Sequence, residues 1–134
     1  MAAILERELE PIIKEWLRRV NLVSDLTDIP LSDADRTGHL PKLYSDIISR
    51  LRLPEDARSP TSADATAHGR KRREQGYSPA MLIEESRIFQ VVTFRMLHLH
   101  QSELDQTEVL RDVIIIADET DAQLVDIVNG LTRV

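Results

Sequence analysis

The sequence predicts an all-α fold of about five helices, and three observations lead to that prediction. The 134 residues include only four glycines, too few for the many tight turns of a β architecture. Aromatic residues make up 4%, so the core must be built from Leu, Ile, Val and Met. Hydrophobic residues recur at the alternating steps of three and four that are typical of a helix face. We therefore expect one domain, residues 1–134, with antiparallel helices in a globin-like or four-helix-bundle arrangement.

The first predicted helix runs from Ala3 to Val20. Its apolar stripe consists of Leu5, Leu9, Ile12, Trp16, Val20 and Val23. Pro11 predicts a kink, or a short helix followed by the main one, because proline lacks the amide proton and clashes with the preceding turn. Residues 21–30 are interpreted as a connector.

The second helical region begins with a cap at Ser32 or Asp33 and has its longer segment at Leu40–Leu53. Pro41 suits the first turn of that segment. Its apolar stripe consists of Leu40, Leu43, Tyr44, Ile47, Ile48 and Leu51. Pro54 ends the helix, and the polar residues that follow it predict a loop.

The third and fourth predicted helices are joined by a short turn. The third begins at Thr61 or Ser62 and ends at Gly76, which supplies the left-handed conformation of a C-terminal cap. Ser78-Pro79 then provides an N-cap and a first-turn proline, so the fourth helix runs from there to about Ser102.

The fifth predicted helix starts near Asp105 and continues to the end of the sequence. Its apolar seam consists of Leu110, Val113, Ala117, Thr120, Leu124, Ile127 and Leu131. Only Gly130 interrupts this seam. We interpret the chain as a fragment whose last helix continues into a further domain and supports a homodimer. The alternative is a terminal helix docked on its own core.

Glu85 is the most informative residue, because it lies on the apolar stripe of the fourth helix. That stripe consists of Leu82, Glu85, Phe89, Val92, Met96 and Leu99. A buried carboxylate is costly unless it is paired or protonated. His68 and Arg72, one turn apart on the third helix, predict a His68–Arg72–Glu85 cluster. The cluster is either a pocket that reads a small ligand, an anion or a proton, or a structural ion pair.

The sequence gives little support for nucleic-acid binding, a metal site, a haem pocket or catalysis. The net charge of −6 disfavours nucleic-acid binding, and the single basic run, residues 70–73, is interpreted as a solvated face. His98 and His100 lie two apart and point in different directions on a helix, so we expect no metal site. The few aromatic residues disfavour a haem pocket, and no cofactor is expected. No recognisable catalytic motif is present, which favours a protein without enzymatic activity.

The location is predicted from what the sequence does not contain. It has no cysteine, which fits a reducing compartment. No apolar stretch approaches the roughly 20 residues that span a bilayer, and the charged N-terminus does not resemble a signal peptide. We therefore expect a cytoplasmic protein without a membrane partner.

The segment HGRKRREQGYSPAMLIEESRIFQ resembles the central signature of the RsbRD-type N-terminal sensor domain, the RsbT co-antagonist N-terminal domain family. The matching positions are His68, Arg72, Gly76, Tyr77 and Glu85. Trp16 and the segment HLPKLYSDIISRL also fit the layout of the family. Ser86 and Gln90 depart from it, since they replace an aromatic residue and an arginine.

The resemblance implies a regulatory role. Domains of this family precede a STAS domain in bacterial stress-response co-antagonists and a kinase core in some sensor histidine kinases. The chain would then be an input domain that relays a signal through its C-terminal helix to an output domain of the same chain. The alternative is a structural dimerisation or scaffold module that reads no ligand.

Overall fold

The computed structural model describes residues 1–54 and 62–133, and all of the secondary structure in these residues is helical. The α-helices are α1 Ala2–Arg7, α2 Leu9–Val20, α3 Ser24–Thr27, α4 Asp33–Thr37, α5 Leu40–Leu51, α6 Ala63–Glu74, α7 Pro79–Leu99 and α8 Val109–Thr132. A 3₁₀ helix, Gln101–Glu103, follows α7. The all-α class is confirmed. The five longest helices match the five predicted ones. α1 and α4 lie within the first and second predicted helical regions, and α3 is an addition in the predicted connector. The antiparallel globin-like or bundle arrangement stays a prediction.

The first predicted helix is divided at Glu8, three residues before Pro11. Glu8 has φ −98° and ψ 17°, outside the helical range, so α1 is a short helix followed by the main one. Pro11 lies in the first turn of α2, where its missing N–H needs no partner. Its ring would clash with the carbonyl of Arg7 in a continuous helix. The helix therefore breaks before Pro11, at Glu8, and Pro11 itself lies within the first turn of α2.

Serine side chains begin three of the helices, as the sequence indicates. The hydroxyls of Ser32, Ser62 and Ser78 accept hydrogen bonds from the amides of the third residue beyond each. Thr61, the other candidate cap of α6, lies outside the described residues. The end of α6 is also as predicted, because Gly76 has φ +91° and lies just after the last turn.

The core lies where α2 and α5 contact α7 and α8. The six apolar positions predicted for the second helix are all buried, as are most of those in the first. Tyr44 of α5 stacks on Phe89 at 4.3 Å between ring centroids. Its hydroxyl donates to Thr93 at 2.6 Å, since the Thr93 hydroxyl itself donates to the Phe89 carbonyl. The aliphatic stripes therefore specify this half of the fold.

No helix in the described residues is both long enough and apolar enough to cross a membrane.

Helices α6 and α8 cross in direct backbone contact at two glycines. A Cβ on Gly69 would stand 1.9 Å from the carbonyl oxygen of Ile127. A Cβ on Gly130 would stand 2.2 Å from the carbonyl oxygen of Thr66. No side chain fits at either position, because both distances lie far inside van der Waals contact. Gly130, which interrupts the predicted seam, is thus the contact point of α8.

The seam predicted for α8 is only partly correct. Thr120, Ile127 and Leu131 are buried, but Leu110 is 77% exposed. The face that contains Gly130 instead includes Asp112, Ile116, Glu119, Gln123 and Ile127. Because Gly130 must face α6, the helix is rotated and buries polar side chains in place of part of the apolar seam. The fourth-helix stripe also ends early, since Leu99 is 76% exposed.

Candidate functional site

Arg72 and Glu85 form a bidentate ion pair in the interior, between α6 and α7. Arg72 Nε donates to Glu85 Oε1 at 3.1 Å, and Nη2 donates to Oε2 at 3.2 Å. Arg72 is 0% exposed and Glu85 is 5% exposed. Trp16 fixes the same turn of α7, because its indole N–H donates to the Glu85 backbone carbonyl at 3.2 Å. The carboxylate on the apolar stripe is thus paired, as a buried charge requires.

Tyr77 adds a third donor to the carboxylate. Its hydroxyl donates to Glu85 Oε2 at 2.8 Å and accepts from Arg36 Nη1 at 3.1 Å. The guanidinium carbon of Arg72 lies 4.5 Å from the centre of the Tyr77 ring, in a cation–π contact. We call Arg36, Arg72, Tyr77 and Glu85 the buried cluster.

The two arginines of the buried cluster bind loop and helix-end carbonyls with their other donors. Arg36 donates to the carbonyls of Leu26 at 3.1 Å and Ile29 at 2.6 Å. Arg72 donates to the carbonyl of Asp35 at 3.1 Å, to the Gln75 side chain at 2.8 Å and to the carbonyl of Arg36. These bonds connect α3, α4, α6 and α7 through side chains. The connector after α2 is therefore held from inside.

Arg36 is the member that the sequence does not reveal. It lies in α4, a helix of five residues in which no apolar period marks a buried face. A lone arginine beside several acidic residues looks like solvated surface. Only the fold shows that it is 3% exposed and bonded to Tyr77.

Burial opposes the ionisation of both Glu85 and Tyr77. It raises the pKa of Glu85 above the ordinary value, while Arg72, Tyr77 and Arg36 act in the opposite direction. Burial, together with the Glu85 carboxylate, raises the pKa of Tyr77 to about 12. The Tyr77 hydroxyl therefore stays protonated at neutral pH and donates a hydrogen bond to Glu85. Three donors converge on the two carboxylate oxygens, which is the arrangement that stabilises the charged form.

His68 lies beside the buried cluster but is not hydrogen-bonded to it, which corrects the predicted three-residue arrangement. It makes no hydrogen bond within the described part of the chain, and its Nδ1 is buried without a partner. The ring packs edge-on against His39, 5.5 Å between centroids. Burial, Arg72 and His39 lower its pKa to about 3, so the ring is neutral at pH 7. Its i, i+4 spacing with Arg72 places both on one face, but residues 1–54 and 62–133 give it no hydrogen-bond acceptor.

A small cavity, which we call the central cavity, lies between His68 and Glu85. Its volume is about 30 Å³, enough for one or two water molecules and far below the roughly 300–1,000 Å³ of a usual ligand pocket. It is lined by Trp16, Leu40, Leu43, His68, Leu82, Glu85, Ser86, Phe89, Thr120, Gln123 and Ile127. All five long helices contribute to this wall. The cavity is therefore at the scale of a solvent molecule, and the pocket that reads a ligand stays a prediction.

The basic run is divided between surface and interior. Arg70, Lys71 and Arg73 are exposed, while Arg72 belongs to the buried cluster. Across residues 1–54 and 62–133, no group of three or more His, Asp or Glu side chains is placed to hold a metal ion.

Comparisons of the chain with models of protein families, with curated proteins and with solved structures find no match. The resemblance to the RsbRD-type domain therefore stays a prediction that rests on the residues from His68 to Glu85. The geometry adds that Arg72, Tyr77 and Glu85 of that signature contact one another.

Proposed function

We propose that this chain is a non-catalytic sensory or regulatory domain of a bacterial signal-transduction protein, a histidine kinase or a stress-response co-antagonist. It acts in the cytoplasm and relays a signal through α8 to an output domain of the same chain. The observation that carries the proposal is the position of α6. This one helix holds part of the buried cluster and also touches α8 backbone to backbone.

Helix α6 presents a single buried face of unusual composition. That face consists of Ala65, His68, Gly69 and Arg72. His68 borders the central cavity, Arg72 holds Glu85, and Gly69 contacts α8. The helix has almost no apolar side chain to anchor it, so its position depends on the cluster near its C-terminal end and on the glycine crossing at its middle. A change in the bonds of Arg72 would therefore displace α6.

A displacement of α6 would be passed on to α8. Helix pairs usually accommodate small movements by rotamer changes of the side chains between them. At Gly69 and Gly130 no such side chain exists, and each Cα faces a carbonyl of the other helix. The two helices must therefore move together or separate. This favours a relay from the cluster to the C-terminal helix over independent motion.

The occupancy of the cluster supports a non-catalytic role. Both oxygens of Glu85 are already bound by Arg72 and Tyr77. General acid–base work needs a group that exchanges a proton near neutral pH. Tyr77, with a pKa of about 12, and His68, with a pKa of about 3, both lie far from that range.

Removing the Tyr77 hydroxyl should loosen α8, whereas removing another buried hydroxyl should not. In Tyr77→Phe, Glu85 and Arg36 lose their shared partner, so we expect amide exchange in α6 and in residues 119–131 to rise about tenfold. Tyr44→Phe is the matched control, since Tyr44 is also buried and donates one hydrogen bond, to Thr93. Its effect should be confined to α5 and α7. Hydrogen exchange followed by mass spectrometry on both variants gives the measurement.

Equal protection changes in α8 for the two tyrosine variants would contradict the relay. That outcome would mean that any lost core hydroxyl loosens the domain globally. An unchanged α8 in Tyr77→Phe, with faster exchange only around Arg36, would contradict it as well.

A structural dimerisation module without a ligand is the second candidate, and two exposed residues favour it. Leu110 and Ile114 lie one turn apart on α8 and are 77% and 67% exposed. Paired exposed aliphatic side chains on one face are typical of a protein interface. Asp118 and Asp121 are exposed one and two turns further along the same helix. Arg95 is exposed on the adjacent α7, so the Arg95 of a second copy could match these charges, whereas Arg87 is paired with Glu84 of its own helix.

A charge on this face should dissociate a homodimer. We expect Leu110→Lys to weaken self-association at least tenfold in analytical ultracentrifugation, because a lysine would be desolvated in the interface. Leu22→Lys is the control, since Leu22 is 73% exposed at the end of α2. A wild-type chain that stays monomeric at millimolar concentration would reject the dimer.

A further inference from the structure

The central cavity is large enough to hold a molecule and is surrounded by every long helix. Its volume of about 30 Å³ exceeds the roughly 10–15 Å³ that one water molecule requires. Six of the eleven residues that line it are aliphatic or aromatic: Trp16, Leu40, Leu43, Leu82, Phe89 and Ile127. The wall is therefore apolar apart from a few polar groups, which is the usual composition of a site that orients a small ligand.

Three polar side chains on this wall have hydrogen-bonding capacity that nothing in residues 1–54 and 62–133 uses. His68 and Ser86 make no hydrogen bond, and Gln123 uses only its amide nitrogen, which donates to the Leu43 carbonyl at 2.9 Å. His68 is 5% exposed and Gln123 is 3% exposed, so bulk water does not reach them freely. Buried polar groups are as a rule satisfied by protein or by a bound molecule. All three side chains line the central cavity.

The surroundings of His68 determine which ring nitrogen carries the proton. Nδ1 is fully enclosed and unpartnered, and the Nδ1–Cε1 edge packs so tightly against Gly38 that a Cβ there would lie 3.2 Å away. A proton on Nδ1 would be a buried N–H without an acceptor, which costs more than a bare lone pair. The neutral ring therefore carries its proton on Nε2. His68 offers the cavity a donor, and Gln123 Oε1 offers it an acceptor.

A charged molecule would find no free counter-charge in the cavity. Both oxygens of Glu85 are bonded, and Arg72 uses Nε, Nη1 and Nη2 on other partners. A cation would lie near Arg72 without an available carboxylate, and an anion would face Glu85. Either would lose its hydration without compensation. A ligand that fits this wall therefore needs an uncharged group that accepts one hydrogen bond and donates another. A hydroxyl group does both.

We propose that the central cavity binds one uncharged, hydroxyl-bearing molecule of roughly one to three heavy atoms, whose hydroxyl accepts from His68 Nε2 and donates to Gln123 Oε1. Water and a short alcohol share this chemistry. That this binding serves as a signal rests on the proposed sensory function, whereas the binding itself does not. Binding is measured at the cavity, whereas the relay is measured by amide exchange in α8, so the two can fail separately.

The test is an NMR titration of the whole 134-residue chain with three probes of similar size: methanol, methylammonium and formate. We expect methanol alone to shift the Trp16 indole and His68 ring resonances with saturation. Without a probe, a slowly exchanging water with cross-peaks to His68 identifies water as the resident molecule. If methanol displaces that water, the cavity binds either water or a short alcohol. If methanol does not displace it, the cavity is specific for water.

Matched variants assign the site. His68→Phe keeps the ring shape but removes the donor, so we expect methanol affinity to fall at least tenfold and the water cross-peaks to disappear. His39→Phe, which alters the neighbouring ring outside the cavity wall, should bind methanol as the wild type does. Gln123→Leu, which removes the acceptor Oε1 from the wall, should weaken methanol binding severalfold and serves if His68→Phe does not fold. Undiminished binding in these cavity variants, equal binding of the charged probes, or a site with neither water nor methanol would overturn the proposal.

Discussion

Replacing Gly69 with alanine is expected to lower the free energy of unfolding by about 3 kcal/mol or more, in the range of severe overpacking. The new Cβ would lie 1.9 Å from the carbonyl oxygen of Ile127, which belongs to the backbone of α8. Backbone cannot move aside as a side-chain end can, so the two helices must separate along their crossing. Gly130→Ala should have a similar effect, since its Cβ would meet the carbonyl of Thr66 at 2.2 Å.

The structure and helix propensity predict opposite signs for this change in the free energy of unfolding. Alanine is favoured over glycine in a helix interior by about 1 kcal/mol, so the sequence alone predicts that both substitutions stabilise. The crossing predicts the opposite. Urea unfolding followed by the fluorescence of Trp16, the single and fully buried tryptophan, measures the difference.

Gly76→Ala is the control for a glycine whose role is conformational only. Gly76 has φ +91°, and the nearest atom to a Cβ there is 4.0 Å away. We expect a cost of about 1 to 2 kcal/mol from backbone strain. If Gly69→Ala proved as stable as the wild type, the direct contact between α6 and α8 would be wrong.

The parts of the fold that the sequence predicted are those with local signals. Serine caps, Gly76 and the aliphatic stripe of α5 each depend on residues within one helix or turn. The rotation of α8 could not be predicted in the same way. It is set by Gly130 meeting α6, a contact between segments about sixty residues apart, and this contact overrides the apolar periodicity that favoured Leu110.

The candidate site shows the same division. Glu85 was identifiable because a carboxylate on an apolar stripe demands a partner, and Arg72 was the partner within reach on the next helix. Arg36 was not identifiable, since its role depends on how the connector after α2 folds back over Tyr77. His68 shows the limit of helical spacing as a guide. Spacing placed the ring on the correct face, but it could not show that the ring faces His39 and the cavity and does not bond to Glu85.

Replacing Arg72 with methionine is expected to cost about 3 to 5 kcal/mol, the usual result of breaking a buried ion pair from one side. The substitution leaves Glu85 in the interior with Tyr77 as its remaining close donor. Arg70→Met is the matched control from the same basic run. Because Arg70 is exposed, its loss should change stability by less than about 0.5 kcal/mol. Removing both charges in Arg72→Met/Glu85→Leu should recover at least half of the loss, because no uncompensated charge is then buried.

The pH dependence of the Arg72→Met deficit distinguishes a stranded carboxylate from lost packing. Burial already raises the pKa of Glu85, and Arg72 is the strongest influence that lowers it, so the variant should raise this pKa further. A carboxyl group whose folded-state pKa is raised binds its proton more tightly in the folded state, which favours folding below its unfolded value of 4.5 and loses that advantage as the pH rises. The deficit relative to the wild type should therefore be smaller at pH 4.5 than at pH 8. Arg72 also lowers the pKa of His68, so the same comparison is made in a His68→Phe background, where that contribution is absent. Urea unfolding of both proteins across this range gives the measurement, and a deficit independent of pH would mean that Glu85 is not left as a buried, unpaired charge.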